Sequence, residues 1–533
     1  MSSPSNKSRL RLELVEIEKK LQKSHLKSRD DKELKAVQSI KKNAKFFFSY
    51  AKQFAKVKSF VGPLKDGDSI VADKKGMAEL LASQFFSVYS SKDILPEADS
   101  FFNVTAAMNQ CSMNNILFNE DDFIEALDSL KPFTGPDPHG FPSIYLKTCK
   151  LAFAKPLTIM WKRSMTEGYI PECFKKTDIF PLFKKGSAGS PENYRPIAKS
   201  SHLIKVFEKV IRKYLAQYLE ENNLLNPNQH GFRNKHSCLS QLLAHYDEIL
   251  HQMENGLGID VVYLDFSKAF DKVDFHILLN KIKHCGIGGK LGKWLYSFLT
   301  GRTQQVVING VKSRHILVKS GVPQGSVLGP LLFLILISDI DSEISSSLVS
   351  SFADDTRASH GIKDILDVTC FQNDLNKIYS WAEKNNMVFN NLKFELLRYN
   401  TPDSLSDTSY LNSNGVIIEA KESVTDLGIV MSSNACFTDQ VHDVCSSMRN
   451  MSSWFLRTFV SRSKDVMLIS WKSLILPIHD YCSQLWNPFR AGEIQTFEII
   501  QWSFIKKIVG RNGDDYWDSL QKYKLYLFPS TAT

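Results

Sequence analysis

Three aspartates stand where metal-dependent chemistry is possible, each at the end of a short apolar run. Asp265 follows the run 261–264, and Asp354 and Asp355 stand side by side after the run 348–352. Mg²⁺ takes hard oxygen ligands and commonly keeps substrate phosphates among them. Carboxylates delivered by two neighbouring strands would therefore suit a phosphoryl-transfer reaction.

Each acidic motif alone also has a plainer interpretation, because an Asp-Asp pair is usually a solvated turn and a strand-end aspartate is commonly a cap. The segment GVPQGSVLGPLLF, residues 321–333, lies between the two motifs and places a Gly/Pro/Gln loop before an apolar helix. The order and spacing of the three segments match those of one protein family.

The elements that must hold these acids are predicted from hydrophobic spacing. Strands are predicted at 261–264, 305–308 and 348–352, and the adjacent acids after the last run predict a hairpin turn. Mixed periods of this kind predict an α/β (α+β) protein with an antiparallel sheet element. Helices are predicted where apolar residues recur at helical spacing, at Ile204, Phe207, Ile211, Tyr214 and Tyr218, and at Phe371, Leu375, Ile378 and Ala382.

Taken in order, the motifs of this chain resemble those of reverse transcriptases from jockey-like non-LTR (LINE-type) retrotransposons, from about residue 45 to residue 527. The similarity is specific because eight motifs occur in the family's order. They are GPD (135–137), PLFKKG with NYRPI (within 181–197), QHGFR (229–233), LDFSKAFDKVD (264–274), GVPQGSVLGP (321–330), FADD (352–355), WAEKNNMVFNNLK (381–393) and VTDLGI (424–429).

The resemblance implies a right-hand polymerase fold with fingers, palm and helical thumb. We expect a basic helical arm or linker over 1–60, an N-terminal helical extension over 61–115, fingers and palm over 116–399, and a thumb with a C-terminal helical region over 400–533. A nicking endonuclease, usual at the front of such elements, is not recognisable, and the thumb stops abruptly. We therefore expect truncation at both ends, and no RNase H site after residue 400.

The implied activity is that of an RNA-directed DNA polymerase, a nucleotidyltransferase that extends a DNA primer 3′-OH with dNTPs on an RNA template. The resemblance assigns catalysis and metal binding to Asp265, Asp354 and Asp355. Two Mg²⁺ ions are expected, with Mn²⁺ as a substitute. RNA template, DNA primer and dNTPs are the expected partners, and the oligomeric state is left open.

The resemblance also assigns residues to the incoming triphosphate. Arg195 and one of Lys184 or Lys185 would bind its phosphates, because guanidinium groups pair bidentately with phosphate oxygens. The alternative for Arg195 is a structural salt bridge. Lys393 matches a lysine that would protonate the leaving pyrophosphate.

Three further positions would shape the nucleotide pocket. Gln324 and Gly325 would form a floor under nucleotide and template, and a side chain at Gly325 would block the approach of the backbone. Phe270 would lie against the sugar and exclude a 2′-OH, whereas its alternative role is core packing.

Charge and composition limit the class of protein. The formal net charge is +9, and residues 1–60 alone hold 16 Lys/Arg against 6 Asp/Glu, so the basic excess is local. Such an arm suits a polyanion, although a solvated helix face is the alternative. The start has no secretory pattern, and no apolar run approaches the roughly 20 residues of a membrane span. An intracellular protein is expected, with the nucleus possible. The nine cysteines are scattered singly, which predicts free thiols without structural zinc.

Two other functions remain open at this point. The chain could be a domesticated nucleic-acid-binding protein that keeps the fold without catalysis, or the product of a decayed element. Intact Asp265, Asp354, Asp355, Arg195 and Gln324 argue against the first of these. Neither composition nor motif order decides the second.

Overall fold

A computed structural model describes residues 4–54, 61–89, 97–102, 112–509 and 515–528. Cys111, one of the predicted free thiols, lies outside these ranges, as do the ends of the predicted arm and thumb. The eight cysteines within the ranges are free thiols. The chain divides into two compact units. One is Phe60–Glu422, and the other combines Met1–Ser59 with Ser423–Thr533.

Fourteen strands occur in the described ranges, and those predicted from sequence are confirmed as β5, β6 and β9. The strands are β1 (Leu64–Asp66), β2 (Ser69–Val71), β3 (Lys176–Phe183), β4 (Tyr194–Lys199), β5 (Gly258–Asp265), β6 (Thr303–Ile308), β7 (Val311–Lys312), β8 (Ile316–Leu317), β9 (Leu348–Phe352), β10 (Asp355–Ile362), β11 (Glu395–Tyr399), β12 (Ala420–Lys421), β13 (Ser423–Asp426) and β14 (Ile429–Ser432).

The α-helices of the described ranges include both helices predicted from spacing, α9 and α15. They are α1 (Pro4–Gln38), α2 (Ala44–Phe54), α3 (Lys74–Phe86), α4 (Ala98–Phe102), α5 (Glu120–Asp128), α6 (Ser143–Thr148), α7 (Lys150–Glu167), α8 (Glu172–Lys175), α9 (His202–Glu221), α10 (Cys238–Glu254), α11 (Ala269–Lys272), α12 (Phe275–His284), α13 (Gly289–Leu299), α14 (Gly329–Ile337), α15 (Ile365–Lys384), α16 (Thr438–Thr458), α17 (Lys464–Ser470), α18 (Leu476–Asp480), α19 (Ser483–Trp486), α20 (Ala491–Val509) and α21 (Tyr516–Tyr523).

The larger sheet of the Phe60–Glu422 unit has the strand order β12-β11-β5-β10-β9. β5 pairs antiparallel with both β10 and β11, and β9 pairs antiparallel with β10. The sequence of β5 is apolar from 261 to 264 because, as a central strand, it is buried on both faces. This sheet is the antiparallel element that the sequence predicted.

A second sheet of the same unit has the order β4-β3-β6-β7, with β8 also paired to β6. β3 and β4 form an antiparallel hairpin, whereas β3 and β6 run parallel. α3 packs against this sheet, and Leu81 and Ile179 belong to the small core between them. Three of the predicted basic site residues lie in or beside this hairpin: Lys184, Lys185 and Arg195.

The main core of this unit lies against the larger sheet. Helix α14 supplies its centre, because residues of the run GPLLFLILI are buried on every side of the helix. Pro330 is tolerated in the first turn of the helix, where backbone N–H groups have no intrahelical partner. α12 packs against α14, and α15 packs against β10.

In the other unit, α1 and α2 pack on segments from the C-terminal part of the chain. The buried carboxylate of Glu33 accepts hydrogen bonds from the backbone N–H groups of Val460 and Ser461 at 2.7 to 3.1 Å. The Phe47 ring stacks on Phe459 at 5.3 Å. Residues 12–28 of α1 are exposed, so the basic arm is anchored at one end and open to solvent along this stretch.

Within the described part of the chain, no helix has the length and apolar character needed to cross a bilayer. The division into arm, extension, fingers with palm, and thumb stays a prediction.

Candidate active site

The three predicted catalytic acids meet at one end of the larger sheet. Asp265 is the last residue of β5, and its direct partner across the antiparallel pair is Asp355, the first residue of β10. Asp354 precedes Asp355 in the turn that joins β9 to β10. The prediction of a hairpin turn at the paired acids is therefore confirmed.

The carboxylates of this turn are held in an unfavourable electrostatic environment. Partial removal from water and the negative charges of Asp354 and Asp265 raise the pKa of Asp355 to about 6, although its side chain keeps contact with solvent. Desolvation raises the pKa of Asp354, and the charge of Asp265 adds to this effect. Nearby cations oppose both shifts, among them Lys184.

Lys393 binds directly to one of the acids. Its Nζ donates to Asp265 Oδ2 at 2.6 Å, and both side chains remain partly exposed. Two contacts bring this lysine to the acid, because the Asn390 N–H donates to the Asp265 carbonyl and the Phe389 ring stacks on Phe266 at 4.4 Å. The predicted nucleotide-binding lysine thus contacts the end of β5.

The β3–β4 hairpin brings the other predicted cations toward the acids. Arg195 pairs with Leu182 in the hairpin, and the Lys184 N–H donates to the Asn193 carbonyl at 2.9 Å, just beyond it. Desolvation, followed by the charges of Arg195 and Lys393, lowers the pKa of Lys184. The side chains of Lys184, Lys185 and Arg195 are exposed, so they remain available to an anionic ligand.

Gln324 is fixed by an acid that the sequence prediction left without a role. Its Nε2 donates to both carboxylate oxygens of Asp271, at 3.0 and 2.9 Å. Burial raises the pKa of Asp271 to about 6, while the bond from Gln324 and the charge of Lys268 act in the opposite direction. The signal for Asp271 was its place in LDFSKAFDKVD, six residues after the strand-end acid.

Gly325 occupies a position that an ordinary side chain cannot share. Its φ is +110°, and a Cβ there would lie 2.8 Å from the carbonyl oxygen of Ala198 in β4. The Ala198 N–H donates to the Gln324 carbonyl at 2.8 Å, so the loop and β4 are in direct backbone contact. This close approach agrees with the reason given for glycine at this position.

Phe270 is half-buried and lies between the site and the core. Its ring stacks on Phe333 of α14 at 4.6 Å and meets the Phe232 ring edge-on at 6.3 Å. The contact with Phe333 is a core contact, whereas part of the ring stays accessible. Both roles considered for Phe270 are therefore compatible with its place.

The donor chemistry of the acids fits a divalent cation. Carboxylates are preferred ligands of Mg²⁺, and the repulsion among Asp265, Asp354 and Asp355 is what a bound cation would relieve. Among the described residues, however, no three Asp, Glu, His or Cys side chains gather closely enough to enclose a metal. Asp265 instead forms an ion pair with the positively charged ammonium group of Lys393.

Sequence reasoning also missed Gln229, whose buried side chain binds the backbone of Ala353 immediately before Asp354. The QHGFR motif, which matched the family pattern but was assigned no role, was the sequence signal for Gln229.

Comparison with known proteins gives the family. Residues 182–431 match the family model described as reverse transcriptase (RNA-dependent DNA polymerase). The chain is 28% identical over 367 residues to the RNA-directed DNA polymerase from mobile element jockey of Drosophila melanogaster, covering 66% of this chain and 40% of that protein. It is 27% identical over 369 residues to the probable RNA-directed DNA polymerase from transposon X-element of the same species, with the same coverage of 66% and 40%.

A more distant relative is the retrovirus-related Pol polyprotein from type-1 retrotransposable element R2 of Popillia japonica, 26% identical over 186 residues, which are 34% of this chain and 25% of the relative. The chain thus spans about 40% of the length of the first relatives it matches. The mixed helix and sheet architecture is the right-hand polymerase fold that the resemblance implied. Residues 182–431 thus carry a reverse transcriptase domain, and the relatives that the chain resembles are polymerases of non-LTR retrotransposons.

Proposed function

We propose that this chain is an RNA-directed DNA polymerase that adds dNMP to a DNA primer 3′-OH on an RNA template. The observation that carries the proposal is the direct cross-strand pairing of Asp265 with Asp355, with Asp354 in the adjoining turn. Cations from a separate hairpin, Lys184 and Arg195, act on the same carboxylates. Paired acids opposite basic groups are the arrangement that phosphoryl transfer needs.

In the proposed reaction, the primer 3′-oxygen forms a bond to the α-phosphorus of the dNTP. The bond between that phosphorus and the oxygen bridging to the β-phosphate breaks, pyrophosphate leaves, and the hydroxyl proton passes to solvent. Arg195 and Lys184 bind the triphosphate, with Lys185 as the alternative lysine. Positioning and charge stabilisation supply most of the rate in such reactions.

Asp265, Asp354 and Asp355 would hold two Mg²⁺ ions, or Mn²⁺ in their place. When bound, such ions supply charge stabilisation for the attacking and leaving oxygens. Lys393, whose Nζ binds Asp265, would donate a proton to the leaving pyrophosphate. Its side chain is partly exposed.

Gln324 and Gly325 would support the nucleotide and the template base from below. Asp271 fixes the amide of Gln324, and the hydrogen bond from the Ala198 N–H to the Gln324 carbonyl keeps the loop close to the β3–β4 hairpin. Phe270 would lie beside the sugar of the incoming nucleotide. Its stacking on Phe333 would hold the ring in place for that task.

Primer extension with the purified chain tests the proposal. A DNA primer annealed to RNA, with dNTPs and Mg²⁺ or Mn²⁺, should be extended by the wild-type chain and not by Asp265→Asn. Asp364→Asn is the matched control, because Asp364 caps α15 on the surface and asparagine caps helices equally well. Binding of the primed RNA without extension under both metals would contradict the proposal and favour the non-catalytic alternative.

A further inference from the structure

The QHGFR segment is bound to the strand that leads into the paired acids. The Gln229 Oε1 accepts the backbone N–H groups of Ala353 at 2.9 Å and Gly231 at 2.7 Å. Its Nε2 makes a longer contact of 3.4 Å to the Ala353 carbonyl. Gln229 is buried, with 3% of its surface exposed. One amide side chain therefore satisfies both backbone groups of the residue that precedes Asp354.

Ala353 needs such support because its backbone is unusual for alanine. Its φ is +60°, in the left-handed region that glycine adopts without a steric penalty. The favoured two-residue hairpin turns have positive φ at their first central position, where glycine, asparagine or aspartate is the usual residue. In this chain the turn that carries the catalytic acids has alanine instead, so its conformation depends on contacts from elsewhere.

The rest of the segment fixes Gln229 against β9. The His230 N–H donates to the Ser351 carbonyl, and the Ser351 N–H donates to the Asn228 carbonyl, each at 3.1 Å. Gly231 permits this approach, since a Cβ at this position would lie 2.4 Å from the Ala353 nitrogen.

Arg233 links the same segment to Glu220 and to two backbone carbonyl groups. Its guanidinium forms a two-point ion pair with Glu220 at 3.0 and 2.6 Å. It also donates to the carbonyl oxygens of Asn226 at 2.7 Å and Gln229 at 3.3 Å. Arg233 therefore holds the QHGFR segment in place, and the segment directs the buried Gln229 amide at Ala353.

We propose that Gln229 is a positioning residue that sets the turn carrying Asp354 and Asp355, by holding Ala353 in its left-handed conformation. The inference rests on the proposed polymerase function for its catalytic consequence. Its structural consequence is that the turn is held in one conformation, and this applies to the metal-free protein as well.

The first test replaces the amide by an apolar chain of similar length, Gln229→Met. Loss of residues that support ligating groups typically costs about 10- to 100-fold in metal affinity or activity. We expect a fall in kcat of this size and a comparable rise in the Mg²⁺ concentration for half-maximal extension. The KM for dNTP should change little, because the β3–β4 hairpin is untouched.

A second substitution distinguishes positioning from general stability. Ala353→Gly should partly restore activity and Mg²⁺ response in the Gln229→Met background, because glycine adopts positive φ without help. Leu146→Ala is the stability control, since Leu146 is buried in α6, a helix that carries none of the predicted site residues. At an equal decrease in melting temperature, the control should leave the Mg²⁺ requirement unchanged.

Gly231→Ala keeps the inference testable if the Met variant fails to fold. Its Cβ would displace the Ala353 nitrogen, so the same rise in Mg²⁺ requirement is expected. A Mg²⁺ requirement that follows melting temperature alone, in all these variants and in Leu146→Ala, would overturn the inference.

Hydrogen exchange separates this inference from the proposed function. In metal-free protein, Gln229→Met should speed amide exchange in peptides spanning 348–358, and Ala353→Gly in that background should slow it again. Exchange that is unchanged by Gln229→Met would refute the inference. A wild-type chain that never extends a primer would refute the proposed function, and the exchange result would still decide the role of Gln229.

Discussion

Asp265 and Asp355 face each other across β5 and β10, as the last residue of one strand and the first of the other. Side chains opposed in this way have Cβ atoms about 4.5 to 5.5 Å apart, and like charges at such a pair destabilise a sheet. Lys393 balances one of the two acids. A sheet end that keeps this repulsion is well suited to binding a cation, at a cost to the stability of the empty site.

Removing one charge from this pair should abolish polymerisation. We expect Asp265→Asn and Asp354→Asn to lower the rate of primer extension by more than about 100-fold, because an amide cannot replace an anionic metal ligand. Affinity for primed RNA should fall far less, which a filter-binding or anisotropy measurement checks. Extension by either variant at the wild-type rate would show that these acids are wrongly assigned.

Stability should depend on pH through Asp355 in metal-free buffer. Its pKa of about 6 lies above the ordinary value, so the folded protein holds this proton in a range where the unfolded chain has released it. The stability that this proton confers is complete below the unfolded pKa and is lost as pH rises through about 6. Asp355→Asn should therefore melt above the wild type at about pH 7.5 and level with it near about pH 4.

Added Mg²⁺ provides the complementary measurement. A cation that binds only the folded protein raises its melting temperature by mass action. Mg²⁺ should raise the melting temperature of the wild type at neutral pH, and it should raise the melting temperature of Asp355→Asn by less. Equal melting curves for the two proteins across the pH range would mean that desolvation and the neighbouring acids do not raise the pKa of Asp355.

Gly325→Ala should displace the loop that carries Gln324. The new Cβ would meet the Ala198 carbonyl oxygen at 2.8 Å, and a shift near 1 Å in a reacting group can cost about 100-fold in rate. Gly310→Ala is the matched control, because Gly310 also has positive φ but open space around its Cα. Steady-state extension and thermal unfolding of both variants check this, and equal decreases in activity would assign the effect to backbone strain alone.

The sequence predicted the parts of the site that depend on local patterns. β5 and β9 contain short apolar runs that end at acids, so both strands and the turn at Asp354 could be predicted from spacing alone. α14 was predicted as an apolar helix because no polar residue interrupts its run. The motif order supplied the remaining assignments, among them the glycine at 325.

Interactions between distant segments could not be predicted in this way. Nothing in the local sequence shows that Gln229 reaches Ala353 or that Gln324 binds Asp271, because these pairs depend on how separate elements pack. The hairpin β1–β2 lies within the predicted helical extension and was not predicted, because its two strands have three residues each and little alternation. The anchoring of α1 through Glu33 was also missed, because a glutamate in a basic helix gives no sign of burial.

The exposed part of α1 should add affinity for RNA without sequence preference. We expect replacement of Lys19, Lys20, Lys23 and Lys27 by Gln to reduce the slope of log affinity against log salt, by up to about 0.7 for each single-strand phosphate that is no longer neutralised. Gln is nearly as good a helix former as Lys, so the helix should persist. The same four positions changed to Arg are the control, and an unchanged slope in the Gln variant would leave α1 as a solvated surface.

The last prediction concerns Phe270, whose partly accessible ring stacks on the buried Phe333. If the ring occupies the space of a 2′-OH, Phe270→Val should raise the ratio of rNTP to dNTP incorporation by about 10-fold or more, since pockets discriminate groups of this size by such factors. Some stability should also be lost, because the ring stacking disappears. Phe371→Val is the control, since Phe371 is buried in α15 and should lower stability without changing the ratio. A proportional decrease in the use of both substrates, at the same melting temperature as the control, would leave Phe270 as a core residue.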